Sequence, residues 1–333
     1  MRILFGSLML LLIGDSSMAQ DRAPILDMHL HALPADSQGP PPLAMCTPIP
    51  QMPAWDPAVP YGPEFMKLHK QPPCDDPIWS PETDEGVMNR TIDVVERLNV
   101  FGVLSGTVDR VAAWSEAAPG RFIPGILFNV AQTDVSPDSL RSLVESGAVQ
   151  ALGEVTNQYA GIAPDDERME PYWALAEELD IPVGIHIGPG PPGVIYLGAS
   201  GYRAHLHSAL TLEPVLVRHP KLRVYVMHAG FPMIDDLLVL MYAHPQVYVG
   251  VGVIVYTRAD FLPYLRRIVE AGHGNRVMFG SDQMVWPETI ERSIDIIQSA
   301  PFLSDGQKRD ILYNNAARFL RLSQDEIARH HDM

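Results

Sequence analysis

Cysteine is scarce. The 333 residues hold only Cys46 and Cys74, too few sulfurs for a thiolate-bound zinc site. Charge is thin as well, 19% of residues, and cations are in the minority: 24 Lys and Arg against 40 Asp and Glu. A net charge of −16 argues against non-specific nucleic-acid binding, which needs Lys and Arg to replace counterions. Past the N-terminus no apolar run approaches the roughly 20 residues of a membrane span. No repeat of solenoid length recurs. No phosphate-binding glycine fingerprint follows the first apolar strand, which removes the main signature of a doubly wound dinucleotide fold. What remains is ordinary for a globular protein: 47% of residues are hydrophobic, enough for a full-sized core.

The N-terminus reads as a signal peptide over residues 1–19. Arg2 supplies a positive start, residues 3–13 form a short apolar run, and Ser17 and Ala19 offer small residues before a cleavage point. A buried N-terminal helix is the alternative. Export to the periplasm or beyond is the expected localisation, with no stable membrane anchor. In such an oxidising compartment a Cys46–Cys74 bridge would stabilise the surrounding Pro-rich stretch by about 3–4 kcal/mol. Two free thiols are the alternative.

From residue 20 to 333 one rhythm dominates: a short apolar run, a turn, then an amphipathic stretch. The apolar runs are 24–31, 99–107, 121–128, 149–156, 181–188, 222–230, 247–255 and 276–282. Several are near-continuous Val, Ile, Leu, Met and Gly, the pattern of parallel strands covered on both faces. Helices are expected over 84–98, 136–147, 171–179, 213–218, 232–243, 259–271, 288–298 and 305–320. Ser136-Pro137-Asp138 is a clear helix start. Eight strands alternating with helices predict a single-domain (β/α)8 barrel. Residues 33–81 break the rhythm. They follow the first strand, are dense in Pro, and carry Trp55, Tyr61, Phe65 and Trp79. They read as an inserted cap loop over the catalytic face.

The first strand ends in Asp27-Met28-His29-Leu30-His31. Side chains two apart on a strand share a face, so both imidazoles can meet one cation. Alone this is a weak signal, because buried histidines often only pack. The fifth strand, however, ends in His186, the sixth in His228 and the eighth in Asp282. In a barrel these tips converge on one mouth, and packing does not explain five titratable groups at corresponding ends.

This set resembles the amidohydrolase superfamily, and more closely its amidohydrolase-related branch, whose members include aminocarboxymuconate-semialdehyde decarboxylase and related metal-dependent hydrolases. Met227-His228-Ala229-Gly230 and the stretch 311–320 are also similar to that branch. The resemblance implies that His29, His31, His186 and Asp282 hold a single divalent ion. Zn2+ is the first candidate, with Mn2+, Fe2+ and Co2+ compatible with the same N and O ligands. It further implies that Asp282 serves as general base to a water activated by that ion, and that His228 polarises a carbonyl or delivers a proton. Binuclear relatives carry a modified Lys at the end of strand four; here that position is Glu154. Glu154 either bridges a second metal or orients a ligand histidine.

Weaker features have plainer readings. His205 and His207 repeat the same spacing but sit off any apolar strand, as polar loop residues do. Arg203 is a candidate anchor for a substrate carboxylate. His330 and His331 fall in a polar tail. The expected activity is hydrolysis of an ester, lactone or amide in a small organic substrate. The rivals are non-oxidative decarboxylation of a small acid and ligand binding without catalysis. A homodimer would fit the branch resembled.

Overall fold

The computed structural model describes residues 22–333; the expected leader lies outside them. Eight parallel strands follow one another in chain order around a single sheet. They are β1 (Ile25–Ala32), β2 (Val100–Gly106), β3 (Phe122–Phe128), β4 (Ala151–Val155), β5 (Val183–His186), β6 (Val224–Met227), β7 (Tyr248–Gly250) and β8 (Val277–Met278). The last strand meets the first through two hydrogen bonds, Met28 N to Phe279 O at 3.0 Å and Asp282 N to His29 O at 2.7 Å. The (β/α)8 architecture is therefore as expected.

Alternation along the strands divides the apolar residues between two cores. Val183 and Ile185, Val224 and Val226 pack outward against the helices. Leu26, Met28, Phe101, Ala151, Tyr225 and Met278 fill the barrel, and Ala316, Ala317 and Phe319 close its lower end. The interior is tight. A Cβ on Gly184 would stand 2.5 Å from the Tyr225 hydroxyl, so only glycine fits at that point.

Several boundaries differ from expectation. The runs 247–255 and 276–282 keep only three and two paired residues, because the chain turns away to build the mouth. The helix Val108–Ala117 was not anticipated, although Thr107 caps it and Val111 and Trp114 form its buried stripe. The expected polar tail is a helix, Gln324–Asp332, started by a Ser323–Glu326 capping box. Its His330 stacks on Phe101 with ring centroids 3.8 Å apart.

Residues 33–81 are more than a loop. They contain the helix Tyr61–Lys70 and a two-stranded ladder, Ala44–Met45 against Ile78–Trp79. Cys46 and Cys74 are bonded, with Cα atoms 5.9 Å apart. The segment is pinned to the barrel by polar contacts: Ile49 N donates to Thr257 O, and the Trp286 indole N–H donates to Leu43 O. No helix among the described residues is long and apolar enough to cross a membrane.

Candidate metal centre

Simple alternation does not aim the key side chains into the mouth; local irregularities do. On β1, Asp27 pairs with Gly102 but Leu30 pairs with Leu104, so three residues advance against two. This bulge reverses the face of the residues beyond it. Ile25 points at the helices, as do Leu30 and Ala32, which turns His29 and His31 inward. β4 repeats the device. Leu152 pairs with Val183 and Val155 with Ile185, and the extra residue brings Glu154 to the cavity wall. His228 (φ 56°) and Asp282 (φ 54°) lie just past their strands in left-handed backbone. Such conformations cost about 1–3 kcal/mol and persist where the surroundings enforce them. Asp27 is one enforcer: its Oδ1 accepts from His29 N at 2.9 Å and from Ser281 N at 3.0 Å, tying β1 to the β8 loop.

The nitrogens and oxygens converge. His29 Nε2 and His31 Nε2 are 3.0 Å apart. Asp282 Oδ1 lies 3.1 Å from His31 Nε2 and 3.7 Å from His29 Nε2. Glu154 Oε2 is 3.7 Å and 3.6 Å from the same two nitrogens. Its Oε1 is 3.3 Å from His228 Nε2 and 4.0 Å from His186 Nε2. Two overlapping sets have mutually close ligand atoms: His29, His31 and Asp282, and His29, Glu154 and His228. His186 belongs to neither set. Its Nε2 is 3.0 Å from the Tyr159 hydroxyl.

The four histidines, Glu154 and Asp282 are all buried, and the electrostatics follow from that. Burial opposes ionisation of Glu154 and Asp282, but the neighbouring imidazoles outweigh it and hold both carboxyls below their ordinary range. Burial also opposes charge on His31 and His228. At His31 the Asp282 carboxylate reverses this, and at His228 the Glu154 carboxylate does, so both are raised. His29 is lowered by burial. His186 falls to about 3, through burial and then repulsion from His228. Two buried anions thus face the Nε2 atoms of His29, His31 and His228, with His186 at the margin of the cluster. A divalent cation is the ordinary partner for such a set, and the residues fit one.

Hydrogen bonds also fix which nitrogen of His186 faces the mouth. Gly188 N donates to Gln158 Oε1, and Gln158 Nε2 donates to Gly188 O, which sets the orientation of the amide. Gln158 Oε1 therefore accepts from His186 Nδ1–H at 2.9 Å. The lone pair of His186 is left on Nε2, toward the cluster. Gln158 Nε2 also reaches the Tyr202 hydroxyl at 3.2 Å, and that hydroxyl bonds His207 Nε2. His228 is fixed the same way: Nδ1 bonds Gly252 O at 3.0 Å, leaving Nε2 toward Glu154.

A cavity of about 1170 Å3 opens onto the cluster, bounded by the cap, the barrel mouth and the loop after β5. Arg203 lies on its wall but is exposed, and its Nη1 donates to Ser200 O and Tyr202 O. His205 is exposed, as expected of a loop residue. His207 lies in the same loop, half-buried on the cavity wall, and is outside both ligand sets. Gln158, Tyr159 and Arg258 went unnoticed in the sequence. Position alone hinted at the first two, since they follow Glu154 on a strand-to-helix loop at the catalytic face.

A family model described as amidohydrolase matches residues 26–322. The chain belongs to the amidohydrolase family. No curated protein matches it. Among solved structures, this amidohydrolase is similar to an uncharacterized TIM-barrel protein from Bordetella bronchiseptica, at 17% identity and TM-score 0.61, covering 92% of this chain and 99% of that one. A probable 2-pyrone-4,6-dicarboxylic acid hydrolase from Acinetobacter baumannii matches at 14% identity and TM-score 0.56, over 90% and 99%. A 5-carboxyvanillate decarboxylase from Novosphingobium aromaticivorans, complexed with manganese, matches at 18% identity and TM-score 0.52, over 70% and 80%. At these identities the likeness is one of fold. The structures it resembles include one named as a hydrolase and one named as a decarboxylase, and a shared fold does not choose between them.

Proposed function

We propose that this amidohydrolase is a metal-dependent hydrolase that cleaves an ester, lactone or amide of a small organic substrate. The observation that carries the reading is the pair of buried carboxylates, Glu154 and Asp282, at one cluster of imidazoles. Together they offset the charge of a divalent ion. Little positive charge is then left at the reacting end to hold a substrate carboxylate, as decarboxylation would require, while bases for hydrolysis are in place.

The ion would be held by His29, His31 and Asp282, with His186 as the fourth ligand, and Zn2+ is the proposed occupant. When bound it supplies Lewis acidity, lowering the pKa of a water and polarising a carbonyl. The chain's own groups do the rest. Water adds to the acyl carbon and its proton passes to the Asp282 carboxylate. His228, with Nδ1 locked to Gly252 O, presents Nε2 to the mouth and shares a proton with Glu154. That proton goes to the oxygen or nitrogen leaving group as the acyl bond breaks. The Cys46–Cys74 bridge supports an exported location.

The test pairs metal content with product analysis. Protein purified without chelator should carry about one equivalent of metal, lost in His186→Ala, and should hydrolyse members of an ester, lactone and amide panel. Release of CO2 from aromatic or enol acids, with no hydrolysis, would replace this reading by the carboxy-lyase one. Metal loading without turnover of either panel would favour a binding protein.

A further inference from the structure

The cap brings to the cavity one histidine that the metal centre does not use. His69 lies near the end of the cap helix Tyr61–Lys70, lines the cavity and is only 7% exposed. Its contacts are to Ala44, Phe65 and Trp286, not to the cluster of histidines and carboxylates. The wall around it is apolar, made of Met45, Ile49, Phe65 and Trp286.

The ring is held in one orientation and one tautomer. His69 Nδ1 lies 2.8 Å from Ala44 O. A carbonyl oxygen only accepts, so Nδ1 carries the proton. The ring stacks on Trp286, with centroids 5.5 Å apart and planes at 23°, and Phe65 meets it edge-on at 5.2 Å. The Trp286 indole is itself tied to Leu43 O, the carbonyl next to that of Ala44. Burial holds His69 below the ordinary histidine range, so the imidazole is neutral near neutral pH and Nε2 bears a lone pair. Among the described residues nothing donates to that nitrogen. The small void on the other side of the ring, about 10 Å3, has room for no more than one water. A ligand that reaches Nε2 therefore comes through the main cavity.

A fixed, unfilled acceptor in an apolar wall discriminates between ligands. One that donates to it replaces the bond to water lost on binding; one that cannot leaves a buried acceptor unsatisfied. We propose that His69 Nε2 accepts a hydrogen bond from a hydroxyl on the ligand, which makes His69 a specificity-determining residue, and that the substrate class is an apolar molecule with a hydroxyl on the side facing the cap. That this ligand is the substrate rests on the hydrolase reading. The recognition of the hydroxyl does not, because it needs no turnover.

The test is calorimetric titration of metal-loaded protein with 4-propylphenol and 4-propylanisole, which share an apolar body and differ in the donor. The phenol should bind roughly tenfold or more tighter than its methyl ether, the range set by leaving one buried acceptor unsatisfied. His69→Asn keeps an N–H for Ala44 O but has no counterpart of Nε2, and His69→Phe keeps the stack on Trp286. Each should erase the preference while metal content and affinity for the ether stay unchanged. Equal affinities in the native protein, or no binding of the phenol, overturn the proposal. So does a preference that survives in either variant, which would assign the hydroxyl to the metal. One folded variant is enough to decide. A preference that depends on His69 in protein that hydrolyses no ester, lactone or amide would sink the hydrolase reading alone.

Discussion

Replacing Gln158 by Leu isolates what one buried amide does for the centre. Gln158 is 4% exposed and touches His186, Gly188 and Tyr202. Leucine is of similar bulk but keeps none of these bonds. The His186 Nδ1–H and the Gly188 backbone groups would then lose a buried partner, at about 1–3 kcal/mol for each group left unsatisfied. The second consequence is more specific. Without an acceptor at Nδ1, the His186 proton is free to move to Nε2, where the Tyr159 hydroxyl lies 3.0 Å away. A histidine protonated there offers no lone pair to a cation. Losing such an orienting partner typically costs about 10–100-fold in metal affinity. Competition against a chromophoric chelator would measure this directly, with thermal unfolding of metal-free protein recorded alongside to separate stability from ligation. Gln158→Glu keeps an acceptor for Nδ1 and should recover most of the affinity. A folded Gln158→Leu protein that binds metal within twofold of native would refute the claim that this amide holds His186 for the ion.

Three further outcomes are expected. Reducing the Cys46–Cys74 bridge frees a loop closed over 28 residues and should destabilise the cap by about 3–4 kcal/mol, seen as faster amide exchange in 33–81 with the barrel protected; equal exchange before and after reduction would refute it. Gly184→Ala forces a Cβ to within 2.5 Å of the Tyr225 hydroxyl and should cost at least about 1–3 kcal/mol in unfolding free energy, so an unchanged denaturation midpoint would count against the interior packing described. His330, lowered to about 4 chiefly by burial, binds fewer protons in the folded chain than in the unfolded one between that value and its ordinary 6.5. Stability from the docked helix Gln324–Asp332 is therefore complete above 6.5 and is lost as pH falls toward 4. The ring is half-buried, so about 1 kcal/mol is at stake after allowing for solvent screening. His330→Phe, which keeps the stack without the titration, should flatten the thermal midpoint across that window, and an identical pH profile would refute the assignment.

The sequence by itself determined the periodic and the local. Near-continuous apolar strands alternating with amphipathic stretches can bury both faces only by closing into a layered α/β body. A His or Asp at the tip of a strand is read from its place in the run. Those two facts gave the barrel, the ligand candidates and the family resemblance. Tertiary structure decided which way the side chains face and what holds them. Strict alternation puts His29 and His31 on the same face as Ile25, which packs against the helices. Only the bulge between Asp27 and Leu30 turns them into the mouth, and a second bulge in β4 does the same for Glu154. A bulge is a mismatch of register between two strands, so neither strand's own sequence displays it. The same reason hid Gln158, Tyr159 and Arg258. Gln158 and Tyr159 meet His186 from 28 and 27 residues away, and Arg258 meets Phe231 from 27, and that proximity exists only once the barrel has closed.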